Sequence, residues 1–412
     1  MRIQPGTYIP LAARLAVAAA VLLAGCGGGA KERTPDGPLT VYASLPRRGV
    51  EARAAEAVEA GARLALADAG GRAGGRDVRF VRLDDTDPAG TGPTWDPEHV
   101  QANAGRAVAD PTTIAYIGEL DEGGSAVSVP VTNDAGLLQV SPADGLTTLT
   151  RDQPGAATGT GPARYYPSGK RTFIRLVPPD ALQAAGLVKW ARERGARRLT
   201  IVQDDQVFGR VLAQQAAVAA ERAGVTVTGL VEPHDDPATF PDFARKVADQ
   251  RPDAVIYTGL GDANAGPLLA AIERADPAVR LYGSSSLVSA QPVPSGLPDV
   301  QVLSPLLPAA RYGPRARRLL SRVKPRPEPA IAAAALYGYE SMRVVLDAIA
   351  SAAPDSGDRP AVARAALGAG ARRSAIGDYS VLPSGDISTV RFGAYRLSAG
   401  QLEYLGERPA NR

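Results

Sequence analysis

"YIGELDEGGSAVSVPVTNDAGLLQVSP", Tyr116 to Pro142, reads as strand, glycine-rich turn, helix, strand. A strand followed by a helix and a second strand forms a βαβ unit, and its two strands run parallel. In an open sheet of such units, ligands sit outside the carboxyl ends of the strands. The turn before the helix is therefore the first candidate binding segment. Gly123, Gly124 and Ser125 open that helix. Their amides lack intrahelical partners and lie at the positive end of the helix dipole. The alternative is an ordinary connection in which Ser125 only caps the helix.

The same alternation extends outward in both directions. Short β-branched runs at 39–44, 77–83, 113–118 and 137–141 read as strands. After a gap, so do 172–177, 199–203, 225–231, 253–259, 280–284 and 300–304. Alanine-rich helical runs lie near 51–69, 97–109, 124–135, 181–194, 208–223, 239–250 and 263–275. Several strands are continuous apolar runs, as expected for strands buried on both faces. The gap, "RDQPGAATGTGPARYYPSGK" (151–170), reads as an extended loop between two α/β lobes. Ala335, Tyr339, Met342, Leu346 and Ile349 form one apolar face of a later helix that needs a sheet to cover it. The end of the chain changes to short strands with turns at 383–386 and 398–400.

At the amino terminus, Arg2 and Arg14 precede or flank the apolar run "LAVAAAVLLAG" (15–25), and Cys26 is the one cysteine of the chain. Eleven apolar residues are too few for a spanning helix, which needs roughly 20, but they suit a signal-peptide core. "LAGC" (23–26) is similar to the bacterial lipobox, in which the cysteine is acylated and becomes the first mature residue. An ordinary secretory signal with a chance cysteine is the alternative. The reading is a lipoprotein signal peptide at 1–25, lipidation at Cys26 and a flexible tether over 26–37. Loss of residues 1–25 would remove two arginines and no acid, taking the net charge from +3 to +1. A near-neutral chain offers no electrostatic case for nucleic acid. The roughly 370 residues beyond the tether suggest about two domains.

Catalytic and metal motifs are weak throughout. The two histidines, His99 and His234, lie far apart in polar stretches. H-E-x-x-H and G-x-S-x-G are absent. Ser321 and Lys324 match S-x-x-K without its partner motifs. "PSGKRT" (167–172) and "GLGDAN" (259–264) each lack required residues of the nucleotide loops they approximate. "DDTDPAG" (84–90) begins like a calcium loop but has Ala89 and Asp96 where ligands belong. No metal and no cofactor are expected, and an enzyme is not.

Taken in order, the lipobox, the 116–142 segment, "FIRLVPPDALQAAG" (173–186), "DDQVFGR" (204–210) and the terminal "SGD" section resemble a known family. This is the type I periplasmic solute-binding proteins of ABC importers, the leucine/isoleucine/valine-binding group. "SLPRRG" (44–49), "DDTDP" and "RYYPSGKRTF" look like an actinobacterial branch. The resemblance implies an α/β fold of two doubly wound parallel-sheet lobes joined by three crossovers. Lobe 1 would be 38–165 with 306–376, and lobe 2 would be 172–303 with 386–412. It implies a non-catalytic extracytoplasmic receptor for a small polar, amino-acid-like solute. The protein would be lipid-anchored and monomeric, and would deliver its solute to an ABC permease/ATPase complex. A membrane sensor module and an extracellular hydrolase are the alternatives. The family contacts map onto Glu122, Gly123, Gly124 and Ser125, then Ala143, Asp144 and Gly145. In the second lobe they map onto Phe208, Gly261 or Asp262, and Ser285. Only Phe208 and Ser125 keep the family's chemistry. Glu122 stands where relatives offer a hydroxyl to a carboxylate, and this favours a cationic or carboxylate-free solute.

Overall fold

The computed structural model describes residues 34, 36–86, 95–120, 123–153, 159, 161–289, 293–329 and 331–408. Cys26, tether residues 26–33 and 35, and Glu122 lie outside them. The end of the expected tether is instead docked on the first lobe: the Thr34 amide donates to the Gly357 carbonyl, and Arg76 donates to the Thr34 hydroxyl and the Gly37 carbonyl. The chain forms two α/β lobes. The first sheet contains β1 (Leu39–Ser44), β2 (Arg72–Ala73), β3 (Arg76–Leu83), β4 (Thr113–Ile117), β5 (Leu138–Ser141) and β6 (Phe173–Arg175). Its order is β2-β3-β1-β4-β5-β6, parallel except for the β2–β3 hairpin. The helices between its strands are α1 (Ala52–Asp68), α2 (Pro97–Ala109) and α3 (Gly124–Asp134).

The second lobe starts with α4 (Asp180–Glu193), β7 (Arg198–Val202), α5 (Val207–Arg222), β8 (Thr226–Val231) and α6 (Phe240–Asp249). It continues with β9 (Ala254–Tyr257), α7 (Ala265–Ala275), β10 (Arg280–Gly283), α8 (Ser286–Ser289) and β11 (Val300–Ser304). The chain then returns to the first lobe for α9 (Pro314–Leu320), α10 (Ala332–Ser351) and α11 (Arg359–Leu367). A short pair, β12 (Ala371–Arg372) and β13 (Tyr379–Ser380), follows. Finally β14 (Phe392–Ser398) and β15 (Gln401–Arg408) add an antiparallel hairpin beside β11. The second sheet has the order β15-β14-β11-β10-β9-β7-β8.

The strands are apolar because helices cover both faces of each sheet. β1 and β4 are buried at every position. In the first lobe, α1 and α10 cover one face and α2 and α3 the other. Met342, Leu346 and Ile349 of α10 are buried in the first-lobe core, so its apolar face finds the sheet that it requires. In the second lobe, Trp190 of α4 and Leu212 of α5 fill one core, and Phe240, Leu268 and Leu269 of α6 and α7 the other.

Two expected boundaries move. The run Thr172–Val177 was assigned to the second lobe, but Phe173–Arg175 pairs with β5 and completes the first sheet. The first crossover is therefore 176–179, after β6. The preceding segment is also not a linker. Tyr165 and Tyr166 are 3% and 5% exposed and pack with Val129, Leu149 and Phe173 of the first lobe. Asn133 of α3 fastens the same segment through Ser168, Lys170 and Thr172. At the other end, Asp386 stays with the first lobe because Arg175 and Arg151 hold it. Ile387 still bridges Val381 in the first-lobe core, and the tail joins the second sheet only at Phe392, so the third crossover is 388–391. The second crossover follows β11 at 305–308.

Candidate functional site

The turns that follow β3, β4, β5, β7, β9, β10 and β11 converge between the lobes. They enclose a cavity of about 200 Å³. The first lobe contributes Trp95, Leu120, Pro142 and Ala143, with Glu51, which precedes α1, and Ala54 and Val58 of α1. The second lobe contributes Gln206, Val207, Phe208, Leu260, Ser285 and Ser286. Ser304, Pro305, Leu306 and Tyr337 lie at the crossover end. Among the described residues, no Lys, Arg or His lines it. Val207, 52% exposed, joins Trp95 and Phe208 in the apolar part of the lining.

Gly123 has a positive φ of 91°, which favours glycine, and precedes α3. A Cβ there would come within 3.0 Å of Val207 Cγ1 and 3.6 Å of Trp95. The two jaws therefore meet at this turn. At the far end of α3, Gly136 has φ of 65°, and the Leu137 amide returns to the Thr132 carbonyl, closing the helix before β5.

The amino terminus of α3 is already occupied. Ser125 is fully buried, and its amide donates to Asp144 Oδ2 at 3.0 Å. Its hydroxyl accepts from the Glu119 amide at 3.2 Å. Asp144 also accepts from the Leu146 amide, and burial raises its pKa despite these donors. The second lobe repeats the device. Asp204 accepts from the Leu260 amide at 2.7 Å and the Gln206 amide at 3.2 Å. Asp262 accepts from the amides of Asn264 and Ala265 at the start of α7. Burial raises both carboxyls, and neighbouring acids push in the same direction. Three turns that could greet an anion thus hold an internal carboxyl group instead.

Behind the cavity lies a second buried group of acids. Tyr116 Oη donates to Glu119 Oε1 at 2.9 Å, and Ser44 Oγ donates to Asp85 Oδ2 at 3.0 Å. Burial raises Glu119 to about 7, even against the hydrogen bonds it receives. Burial and the neighbouring Glu119 raise Asp85 as well. The pair accordingly favours a shared proton.

Of the sequence-predicted residues, Ala143, Phe208 and Ser285 line the cavity, and Gly123 lies at the closed jaws. Gly124 packs on the Glu119 side chain. Ser125 and Asp144 bond to each other behind the wall. Gly145 accepts from the Asp180 amide at the first crossover. Leu260 reaches the cavity, while the Gly261 amide bonds Ser286 Oγ and Asp262 caps α7. Glu122 lies outside the described residues, so the charge argument built on it has no geometry to stand on. Trp95, Val207 and Tyr337 were missed. Trp95 is one of only two tryptophans and sits in a polar loop, a signal that the sequence did offer. His99 and His234 are on the surface, and His99 contacts the helix-capping Asp96.

A family model described as periplasmic binding protein matches residues 38–386. The chain belongs to the periplasmic binding protein family. Solved structures share its fold at low identity. A leucine-binding protein from Thermotoga maritima is 19% identical, with a TM-score of 0.71 over 90% of this chain and 98% of that one. An ABC-transporter solute-binding protein from Rhodopseudomonas palustris, in complex with p-hydroxybenzoic acid, is 15% identical. Its TM-score is 0.72 over 91% and 98% of the two chains. A Desulfitobacterium hafniense substrate-binding protein with leucine is 18% identical, with a TM-score of 0.69 over 89% and 100%. No curated protein sequence matches.

Proposed function

We propose that this periplasmic binding protein is a non-catalytic receptor for a small, largely apolar solute without a carboxylate, which it hands to an ABC permease. The observation that carries the reading is the interlobe cavity walled by Trp95, Val207, Phe208 and Tyr337, with no basic side chain among its described residues. This reading narrows the expected small amino-acid-like solute to one with an apolar body. The Ser125 amide that a solute carboxylate would seek is buried and already donates to Asp144, so it is not free to receive an anion. Binding without catalysis is supported by the Ser125 hydroxyl, which is fully buried, engaged by the Glu119 amide and without a histidine partner.

Trp95 makes the test direct. Matched sets of leucine and leucinamide, and of benzoate, benzamide and benzylamine, are titrated while tryptophan emission is followed. The expected outcome is saturable change for the amide or amine, lost in Trp95→Phe. Tighter binding of leucine or benzoate than of their uncharged partners would refute the proposed solute class.

Membrane attachment through an acylated Cys26 belongs to the same proposal. Stable anchoring takes more than one acyl chain, at about 0.8 kcal/mol per buried CH₂. Cys26→Ser is expected to give an unprocessed or released protein on detergent partitioning. Normal processing and retention of that variant would remove the lipoprotein reading.

A further inference from the structure

The interlobe cavity does not end at Ser304. A second space of about 380 Å³ adjoins it. Ala54, Ser289, Ser304, Leu306 and Ala334 border both, so the two are neighbours across a rim in which four of the five side chains are small. The second chamber is walled by Val288, Pro308 and Ile331, and by Tyr395, Leu402 and Tyr404 of the terminal hairpin.

Its chemistry is one-sided. Among the described residues, no ionisable acid or base other than tyrosine borders it, and two serines supply the remaining side-chain hydroxyls. The Tyr395 hydroxyl is engaged, donating to the Leu306 carbonyl at 2.7 Å. Tyr395 and Tyr404 pack edge-on at 5.4 Å between centroids, and Arg311 lies over the Tyr404 ring. These contacts give the aromatic wall a defined position. Ligand pockets typically span ~300–1,000 Å³. The first chamber alone falls below that range, and the second brings the cleft within it.

We infer that the cleft has two chambers and that its occupant is an elongated apolar solute. Its head group lies beside Ser285 and Gln206, and its tail passes Ser304 to reach Leu402 and Tyr404. The inference rests on the apolar-receptor reading above and adds length to it. The short side chains of Ala54, Ser289, Ser304 and Ala334 give the tail the least obstruction at the rim, and Tyr395, Leu402 and Tyr404 of the hairpin β14–β15 supply an apolar wall beyond it.

A homologous series of n-alkyl primary amides, from propanamide to decanamide, tests this with the full mature chain by calorimetry. Each methylene buried is expected to tighten binding about fourfold, and the gain should continue past the length that fills the first chamber. Leu402→Trp, which fills only the second chamber, should make affinity level off at the shorter length. Val288→Phe, at another lining position of the same chamber, provides a second block. Wild-type affinity that levels off at the short amides would overturn the two-chamber inference while leaving the receptor reading intact. Binding by no amide of any length would overturn both.

Discussion

Glu119 and Asp386 are both buried acids, yet the fold treats them oppositely. Glu119 faces Asp85, Tyr116 and Ser44, and burial lifts it to about 7 from an ordinary 4.5. Between those values the native state keeps a proton that the unfolded chain has released. Stability therefore falls as pH rises from about 4.5 to 7. Burial also acts to raise Asp386, but Arg175 and Arg151, with the Thr150 hydroxyl, hold it down to about 2. Its contribution is present above the ordinary 3.8 and is lost as pH falls toward 2. Glu119→Gln should flatten the decline in melting temperature between pH 4.5 and 7 relative to wild type. Parallel curves would show that the carboxyl pair does not control this window. Asp386→Ala leaves the fully buried Arg175 uncompensated and should cost about 3–5 kcal/mol in denaturant unfolding at pH 7. A loss below about 1 kcal/mol would mean that Arg175 finds other partners.

At the scale of elements, the closest packing joins α1 to α10. A Cβ at Gly61 would meet the Ala335 carbonyl, and one at Gly338 would meet the Val58 carbonyl. Each helix thus places a glycine against the other's backbone. Ala54 and Val58 of α1 also reach the cleft, so the packing positions one of its walls. Gly338→Ala should destabilise the first lobe by about 1–3 kcal/mol, the usual range for overpacking. It should also weaken solute binding, because relief requires the helices to separate. Unchanged unfolding in denaturant would show that the two backbones part without cost. The alternating runs made nearly all these helices and strands legible in sequence. The glycines themselves were not, since a glycine in a helical run carries no mark of the backbone it approaches.

Over the whole molecule, the three crossovers at 176–179, 305–308 and 388–391 are the candidate hinges. Gly145 and Thr147 of the first lobe hydrogen-bond the start of α4, which anchors the second lobe beside the first crossover. A solute that touches Trp95 and Val207 together interacts more strongly with closed lobes and shifts the population toward them. Small-angle scattering of the mature chain, with and without an amide shown to bind, should give a smaller radius of gyration on saturation. No change at saturation would argue against hinge closure. Hinge position was only partly legible. The glycine- and proline-rich stretch at 151–170 reads as a connection in sequence, but its Tyr165 and Tyr166 are buried in the first lobe.

What the sequence determined by itself was the two-lobed α/β architecture. Repeated short apolar strands between helical runs can be buried on both faces in few other ways. It also carried the resemblance that led to the family. Tertiary structure alone decided which carboxyls occupy which amides. Ser125 and Asp144 are 19 positions apart and become partners only when the turns after β4 and β5 come side by side. It alone decided that Trp95, Val207 and Tyr337, from three distant segments, share one cavity. Pairings of that kind depend on distance in space, and local periodicity reports only distance along the chain.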